Sequence, residues 1–188
     1  TEMKIFIEEK ETMRKLCFYA AILCLGVFLA SGVQADLVAH YTFEEGSGTT
    51  AGDSSGYGNA ANGTFVGSGV SWVEGKVGDS AVSLNGTSWI NCGKDAKFNI
   101  SSQISMAAWL KSPGTGIPWQ MWLSKGNTSG WRSCQYDLNK VMFFGVYQND
   151  GNVYGNTTVF DDQWHHVACT YDGSYMNIYI DGNLDPAS

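Results

Sequence analysis

Positive charge is scarce in this sequence. Lys and Arg number 11 against 18 Asp and Glu, a formal net charge of −7, and charged residues of both signs make up only 15% of the chain. That balance argues against nucleic acid as a partner, because phosphates need Lys and Arg to neutralise them. No Cys-x-x-Cys spacing occurs, and the 3 histidines are His40, His165 and His166. The last two are adjacent and point to opposite faces of a strand, so they cannot share a metal, which speaks against zinc. The longest apolar run, Leu16 to Leu29, falls short of the roughly 18–20 residues that span a bilayer. With 44% hydrophobic and 13% aromatic residues, disordered, collagen-like and coiled-coil chains are also poor descriptions.

What is present begins with a leader. Met13-Arg14-Lys15 forms a short basic start, Leu16 to Leu29 is apolar or small, and Val33-Gln34-Ala35 ends in small side chains. This is the layout of a secretory signal peptide, with cleavage expected between Ala35 and Asp36. The competing reading is an uncleaved membrane anchor. Cys24 follows Leu23 rather than a small residue, which disfavours a lipoprotein site, and Thr1 to Thr12 reads as an upstream extension. One domain is expected over 36–188, exported to the extracellular space or cell surface (or the periplasm), with no membrane insertion after cleavage. Its 7 basic and 14 acidic residues keep it soluble and leave carboxylates available for Ca²⁺. Cys92, Cys134 and Cys169 remain in it. An odd number fits either one disulfide and a free thiol or no disulfide, and Cys169, within Val167-Ala168-Cys169-Thr170, reads as a small core hydrophobe.

After residue 35 no apolar period of helical type outlasts two turns; short alternating segments separated by Gly, Asn, Asp and Ser recur instead. Residues 37–43 alternate, with Leu37, Ala39, Tyr41 and Phe43 on one face. Segments 81–84 and 88–91 flank Asn85-Gly86, a hairpin signal. In 104–111, Ile104, Met106, Ala108 and Leu110 share a face opposite Trp109. Segments 141–148 and 153–159 flank a turn at 149–152, and 164–171 and 175–181 flank Asp172-Gly173. In the last of these Met176, Ile178 and Ile180 face one way. Residues 46–78 read as a long turn-rich loop of the kind that binds a ligand or wraps an edge. About ten to twelve strands in one domain predict an all-β antiparallel two-sheet sandwich. A strand leaving Asp181-Gly182-Asn183 is expected to pair onward, and the end at Ser188 suggests truncation.

Several pieces, in order, carry a resemblance: Tyr41-Thr42-Phe43-Glu44-Glu45-Gly46-Ser47-Gly48-Thr49, Asp53-Ser54-Ser55-Gly56-Tyr57-Gly58-Asn59, Gly75-Lys76-Val77-Gly78, Ser105 to Leu110, Trp164-His165-His166-Val167-Ala168 with Tyr171-Asp172-Gly173, and Tyr179-Ile180-Asp181-Gly182. Together they resemble laminin-G-like jelly-roll domains of the concanavalin A-like lectin/glucanase superfamily over Leu37 to Leu184. The family's closing strand has no counterpart, which fits a truncated C-terminus.

Four constellations bear on function. The loop 53–59 offers Ca²⁺ the oxygens it prefers. By resemblance a structural Ca²⁺ is expected there, with Asp53 and Asn59 as side-chain ligands and the Gly56 or Gly58 carbonyls as donors; alternatively Asp53 caps its own turn. Catalysis by glycoside hydrolysis needs carboxylates roughly 5–10 Å apart. Superfamily glucanases carry Glu, Asp and Glu at alternate positions of one strand, a triplet missing here. Glu44-Glu45 and Asp161-Asp162 read as solvated charges and His166 as a buried, hydrogen-bonded core residue. No Gly-x-Ser-x-Gly nucleophile motif occurs, so a non-enzyme is expected. Finally, Trp119, Trp131, Tyr136, Tyr147 and Tyr154, with Asn127 and Asn149, lie in or beside the turns of 113–156. Aromatic faces stack on sugar C–H faces while amides satisfy hydroxyls. These residues are the expected carbohydrate site, although Trp131, like Trp122, could equally plug the sandwich. Five Asn-x-Ser/Thr sequons, at Asn62, Asn85, Asn99, Asn127 and Asn156, fit surface loops or chance. The expected function is non-catalytic recognition of a glycan, the alternatives being a protein-adhesion or structural module of a larger surface protein and an accessory domain of a glycoside hydrolase.

Overall fold

Strands form where β-branched and aromatic residues alternate with polar ones, and the computed structural model of the chain follows that pattern. It describes residues 35–114, 119–126, 130–137, 139–144 and 151–186. The chain divides into two units, 1–36 and 37–188. Of the first, only Ala35 and Asp36 are described, both exposed and outside any regular element, so the expected leader 1–34 lies outside the described residues.

In chain order the second unit contains β1 (Thr50–Ala51), β2 (Gly63–Val66), β3 (Val70–Glu74), β4 (Ser80–Leu84), β5 (Trp89–Asn91), a 3-10 turn (Ala96–Phe98), β6 (Ile104–Leu110), β7 (Met121–Ser124), β8 (Arg132–Tyr136), β9 (Lys140–Phe144), β10 (Asn152–Tyr154), β11 (His165–Tyr171), β12 (Met176–Ile180) and β13 (Asn183–Asp185). All pairings are antiparallel. Two four-stranded sheets have the orders β13-β12-β11-β6 and β10-β9-β8-β7; a three-stranded sheet, β1-β2-β5, and the pair β3-β4 accompany them. The unit is all-β, as expected.

The two larger sheets share one core. Ile104 and Met106 of β6, Val167 and Cys169 of β11, and Ile178 and Ile180 of β12 meet Val141 and Phe143 of β9 in a single buried cluster. Cys169 Sγ lies 3.6 Å from Ser133 Oγ on β8, a direct contact between the layers. Each large aliphatic or aromatic side chain so buried contributes about 1.5–3 kcal/mol, which makes this interior the main source of stability. The expected faces of 104–111 and 176–180 are the observed ones. Register binds them: Cys169 pairs with Met106 on one side and Ile178 on the other. The Asp172-Gly173 turn also forms as expected, with Asp172 Oδ1 accepting from the amides of Ser174 and Tyr175 at 2.8 and 2.7 Å. Beyond Gly182, β13 pairs with β12. There Asp185 is buried and accepts from the Asn156 amide at 2.8 Å and the Thr157 hydroxyl at 2.8 Å.

Four expectations fail locally. Among the described residues, 37–43 make one bridge, Tyr41 to Asp53, and Leu37 is exposed; Phe43 takes φ 57, which breaks the extended run. The segments around Asn85-Gly86 do not pair with each other. β4 pairs with β3 and β5 with β2, because the turn passes the chain between sheets rather than doubling it back. The stretch 46–78 contains β1, β2 and β3 rather than one long loop. At Gly63 a Cβ would sit 2.4 Å from Ile90 Cγ2, so glycine lets β2 lie closely on β5. Lastly, β10 ends at Tyr154; Val159 is buried outside any strand, its amide donating to the Asn139 carbonyl at 2.8 Å.

Candidate functional site

The outer face of the β10-β9-β8-β7 sheet follows from register. Gln135 pairs with Val141 and Ser133 with Phe143, positions that face the core. Tyr136 opposite Lys140, and Cys134 opposite Met142, therefore take the other face. Tyr154 opposite Met142, and Asn152 opposite Phe144, join them from β10. Tyr136 and Tyr154 converge there, ring centroids 4.7 Å apart. The Asn152 Nδ2 donates to Tyr154 Oη at 3.3 Å.

Trp119 completes the row. Its amide donates to the Gln135 carbonyl at 2.9 Å and the Gln135 amide donates to the Gln120 carbonyl at 2.8 Å, clamping residues 119–120 to β8 ahead of β7. Its ring meets Tyr136 edge to face at 6.2 Å, yet the residue stays 50% exposed. Its backbone φ is +72, a left-handed conformation that bulky L-residues avoid. Met121, also exposed, pairs with Cys134 beside it. The result is a strip of three aromatic rings edged by two phenols, an amide and the Lys140 position. Apolar ring faces beside hydroxyl-binding groups suit a sugar.

The other expected binding residues fall elsewhere. Trp131 is a core residue, 7% exposed, with Nε1 donating to the Phe98 carbonyl at 3.2 Å. Trp122 packs half-buried against the same core. Asn127, Tyr147 and Asn149 lie outside the described residues.

The expected metal loop is brought together, but around a side chain. Asp53 Oδ1 accepts from the amides of His40 (3.1 Å) and Ser55 (3.0 Å). Oδ2 accepts from the Ala61 amide (3.0 Å) and from Lys97 Nζ (2.7 Å). The Lys97 ammonium also donates to the carbonyls of Asn59 (3.0 Å) and Tyr57 (3.2 Å). Gly56 and Gly58 take positive φ, at 71 and 62, and shape the loop. Burial works to raise the Asp53 pKa; Lys97 and the amides of Ala61, His40 and Ser55 outweigh it and hold the carboxyl well below the ordinary range. Ca²⁺ wants six to eight oxygens at about 2.3–2.6 Å. With Lys97 Nζ already on Asp53 and on two carbonyls, these residues do not fit the ion. Among the described residues no group of three or more His, Cys, Asp and Glu side chains forms a metal cluster.

A third arrangement was invisible in the sequence. His165 Nδ1 meets Asp181 Oδ2 at 2.8 Å and its Nε2 meets Asp161 Oδ1 at 3.2 Å. Asp181 Oδ1 also accepts the His166 amide at 2.9 Å. The hydrogen bond to Asp181, then the charges of Asp181 and Asp161, raise the His165 pKa against a smaller burial effect, and the same bond lowers that of Asp181. Both ring nitrogens are engaged by carboxylates, so neither is left to activate a nucleophile. His166, expected in the core, is half-buried on the face of the β13-β12-β11-β6 sheet turned away from the core, against Trp109, centroids 5.4 Å apart. Asp161 binds His165 and Asp162 sits 3.9 Å from Lys111 Nζ, and both carboxylates stay exposed, as expected of solvated charges. Glu44 and Glu45 likewise accept the amides of Asp79 (2.9 Å) and Gly52 (2.7 Å). Cys92, Cys134 and Cys169 are all free thiols, which resolves their open pairing.

Residues 84–188 match the laminin G (type 3) family model, described as the concanavalin A-like lectin/glucanases superfamily. The chain belongs to this superfamily. The match covers β5 to β13 and hence the whole aromatic strip. No curated protein and no solved structure matches the chain. The superfamily's name spans lectins, which bind sugars, and glucanases, which cleave them. Among the described residues no helix is long and apolar enough to cross a membrane.

Proposed function

We propose that this chain is an exported, non-catalytic recognition module that binds carbohydrate on the strip Trp119–Tyr136–Tyr154. One observation carries the reading: a half-exposed tryptophan held at φ +72 against Tyr136, whose ring in turn packs on Tyr154 from a separate strand. A bulky ring kept half exposed in a left-handed conformation is the kind of local strain that tends to cluster where ligands bind. Asn152 at Tyr154 supplies a hydroxyl partner at the same edge. Lectin-type members of the superfamily make a sugar ligand the natural reading for such a face, and a His165 fully engaged by two carboxylates supports recognition over hydrolysis.

The test is retention of the full chain on a glycan array and on insoluble polysaccharides, followed by Trp119→Ala. Binding that drops in the variant supports the reading. Failure to bind any glycan, or undiminished binding by the variant, refutes it. The export step is tested separately by sequencing the N-terminus of secreted protein, which should begin at Asp36.

A further inference from the structure

We infer that the Lys97 ammonium is the resident cation of the 53–61 loop, standing where a metal ion would otherwise be needed, so that this loop folds without calcium. The stoichiometry is complete. A lysine ammonium has three N–H donors and no acceptor. Nζ faces three oxygens: Asp53 Oδ2 at 2.7 Å, the Asn59 carbonyl at 3.0 Å and the Tyr57 carbonyl at 3.2 Å. Among the described residues no fourth oxygen is recruited and no donor is spare, so the site is matched to an ammonium rather than to an ion of higher coordination number.

Burial makes the arrangement consequential. The Lys97 side chain is 6% exposed and that of Asp53 0%, so each charge is desolvated and depends on the other. The pair also bridges distant parts of the chain. Lys97 sits in the 3-10 turn between β5 and β6, fixed there by Asp95 Oδ1 accepting its amide at 2.9 Å. Next to it, the Phe98 carbonyl takes the Trp131 indole N–H in the core. Asp53 in turn accepts the amides of His40, from the segment before the loop, and of Ala61 at the loop's far end, and its own amide donates to Asn62 Oδ1 at 2.9 Å. The ammonium therefore fastens the N-terminal loop to the sandwich, the task a structural metal performs elsewhere, and it travels with the chain instead of being captured from solution.

The inference does not depend on the carbohydrate reading and is tested by melting the full chain rather than by binding. Wild-type protein should melt within about 1 °C of the same temperature in EDTA and in millimolar CaCl₂, since an ion bound far above its dissociation constant shifts the midpoint by several degrees. A calcium-specific rise of that size, not given by MgCl₂ and abolished by Asp53→Asn, would overturn the inference. Lys97→Met removes the charge and keeps most of the stem, and it should lower the midpoint on the order of 10 °C by stranding a buried carboxylate. Adding Asp53→Asn to it should cost less than the sum of the single changes, the sign of a direct pair. A Lys97→Met midpoint within about 2 °C of wild type would refute the role assigned to the ammonium. Should that variant not fold, the calcium titration of the wild type decides alone.

Discussion

Replacing Trp119 by glycine and by alanine separates the two things this residue does. Both variants lose the buried half of the ring, on the order of 100 Å² at about 25 cal/mol per Å², or about 2.5 kcal/mol. They differ in backbone. At φ +72 an L-residue with a Cβ bears about 1–2 kcal/mol of strain, which alanine keeps and glycine sheds. Glycine's greater entropy loss on folding takes back about 0.5–1 kcal/mol of that. Trp119→Gly should therefore melt above Trp119→Ala by about 2–3 °C, the reverse of the order at ordinary positions. Ligand affinity follows the ring alone. The exposed half, again on the order of 100 Å², would be covered by a stacked sugar, so both variants should bind about 70-fold more weakly and equally so. Scanning calorimetry reads the first comparison, and titration calorimetry with whichever glycan the wild type retains reads the second. Alanine melting at or above glycine would show that the left-handed backbone is not strained. Wild-type affinity in either variant would show that the ring does not meet the ligand.

Other outcomes follow from the same contacts. The raised His165 pKa stabilises the fold fully below the ordinary histidine value of about 6.5 and progressively less as pH rises through the folded value, while the lowered Asp181 pKa makes its share fade in acid. The melting temperature should accordingly fall between pH 6 and pH 9, and His165→Gln should flatten that fall; an unchanged slope in the variant would contradict the assignment. Trp131→Ala should lower the midpoint on the order of 10 °C, as expected for a large core ring, and when cold should leave glycan binding intact, which affinity electrophoresis checks. Burial pushes the Cys134 thiol up to about 11 and that of Cys169 up to about 12. Neither should take up iodoacetamide at neutral pH until urea is added, as mass spectrometry of the alkylated protein will show.

Where strands pair with sequence neighbours, the pattern was readable. β11 and β12 alternate cleanly, and Asp172-Gly173 closes them because an aspartate that accepts the two following amides and a glycine at φ 99 make a turn from local chemistry alone. Where strands pair at a distance, the same kind of signal misled. Asn85-Gly86 makes a turn, with Asn85 Oδ1 accepting the Thr87 amide at 3.1 Å. A turn alone does not say which strand comes next in the sheet; the β2–β5 and β3–β4 pairings do, and they depend on contacts far along the chain. The 37–43 segment alternated well enough to predict a strand, but alternation states only which side chains could share a face, not that a partner edge is available.

The site shows the same limit more sharply. Trp119 follows Pro118 in a Gly/Pro loop, where an aromatic has least packing reason to be, whereas Trp131 could equally bind or plug the sandwich, so the sequence leans without deciding. What separates them is tertiary: Trp131 finds an acceptor in the Phe98 carbonyl and a place in the core, while Trp119 is anchored by its backbone to Gln135 and keeps half its ring in water. Lys97 and Asp53 are 44 positions apart, beyond any local spacing rule, so the loop's cation could not be read from the loop. The expected calcium loop and the expected aromatic site contrast in how far the chain satisfies its own groups. In the first, every donor of the ammonium and both oxygens of the carboxylate are satisfied within the chain, and nothing is left over for a ligand. In the second, a local conformational rule is broken at the surface and half of a tryptophan ring stays exposed. On the proposed reading, that difference puts recognition on the outer face of the β10-β9-β8-β7 sheet and leaves the 53–61 loop a structural part.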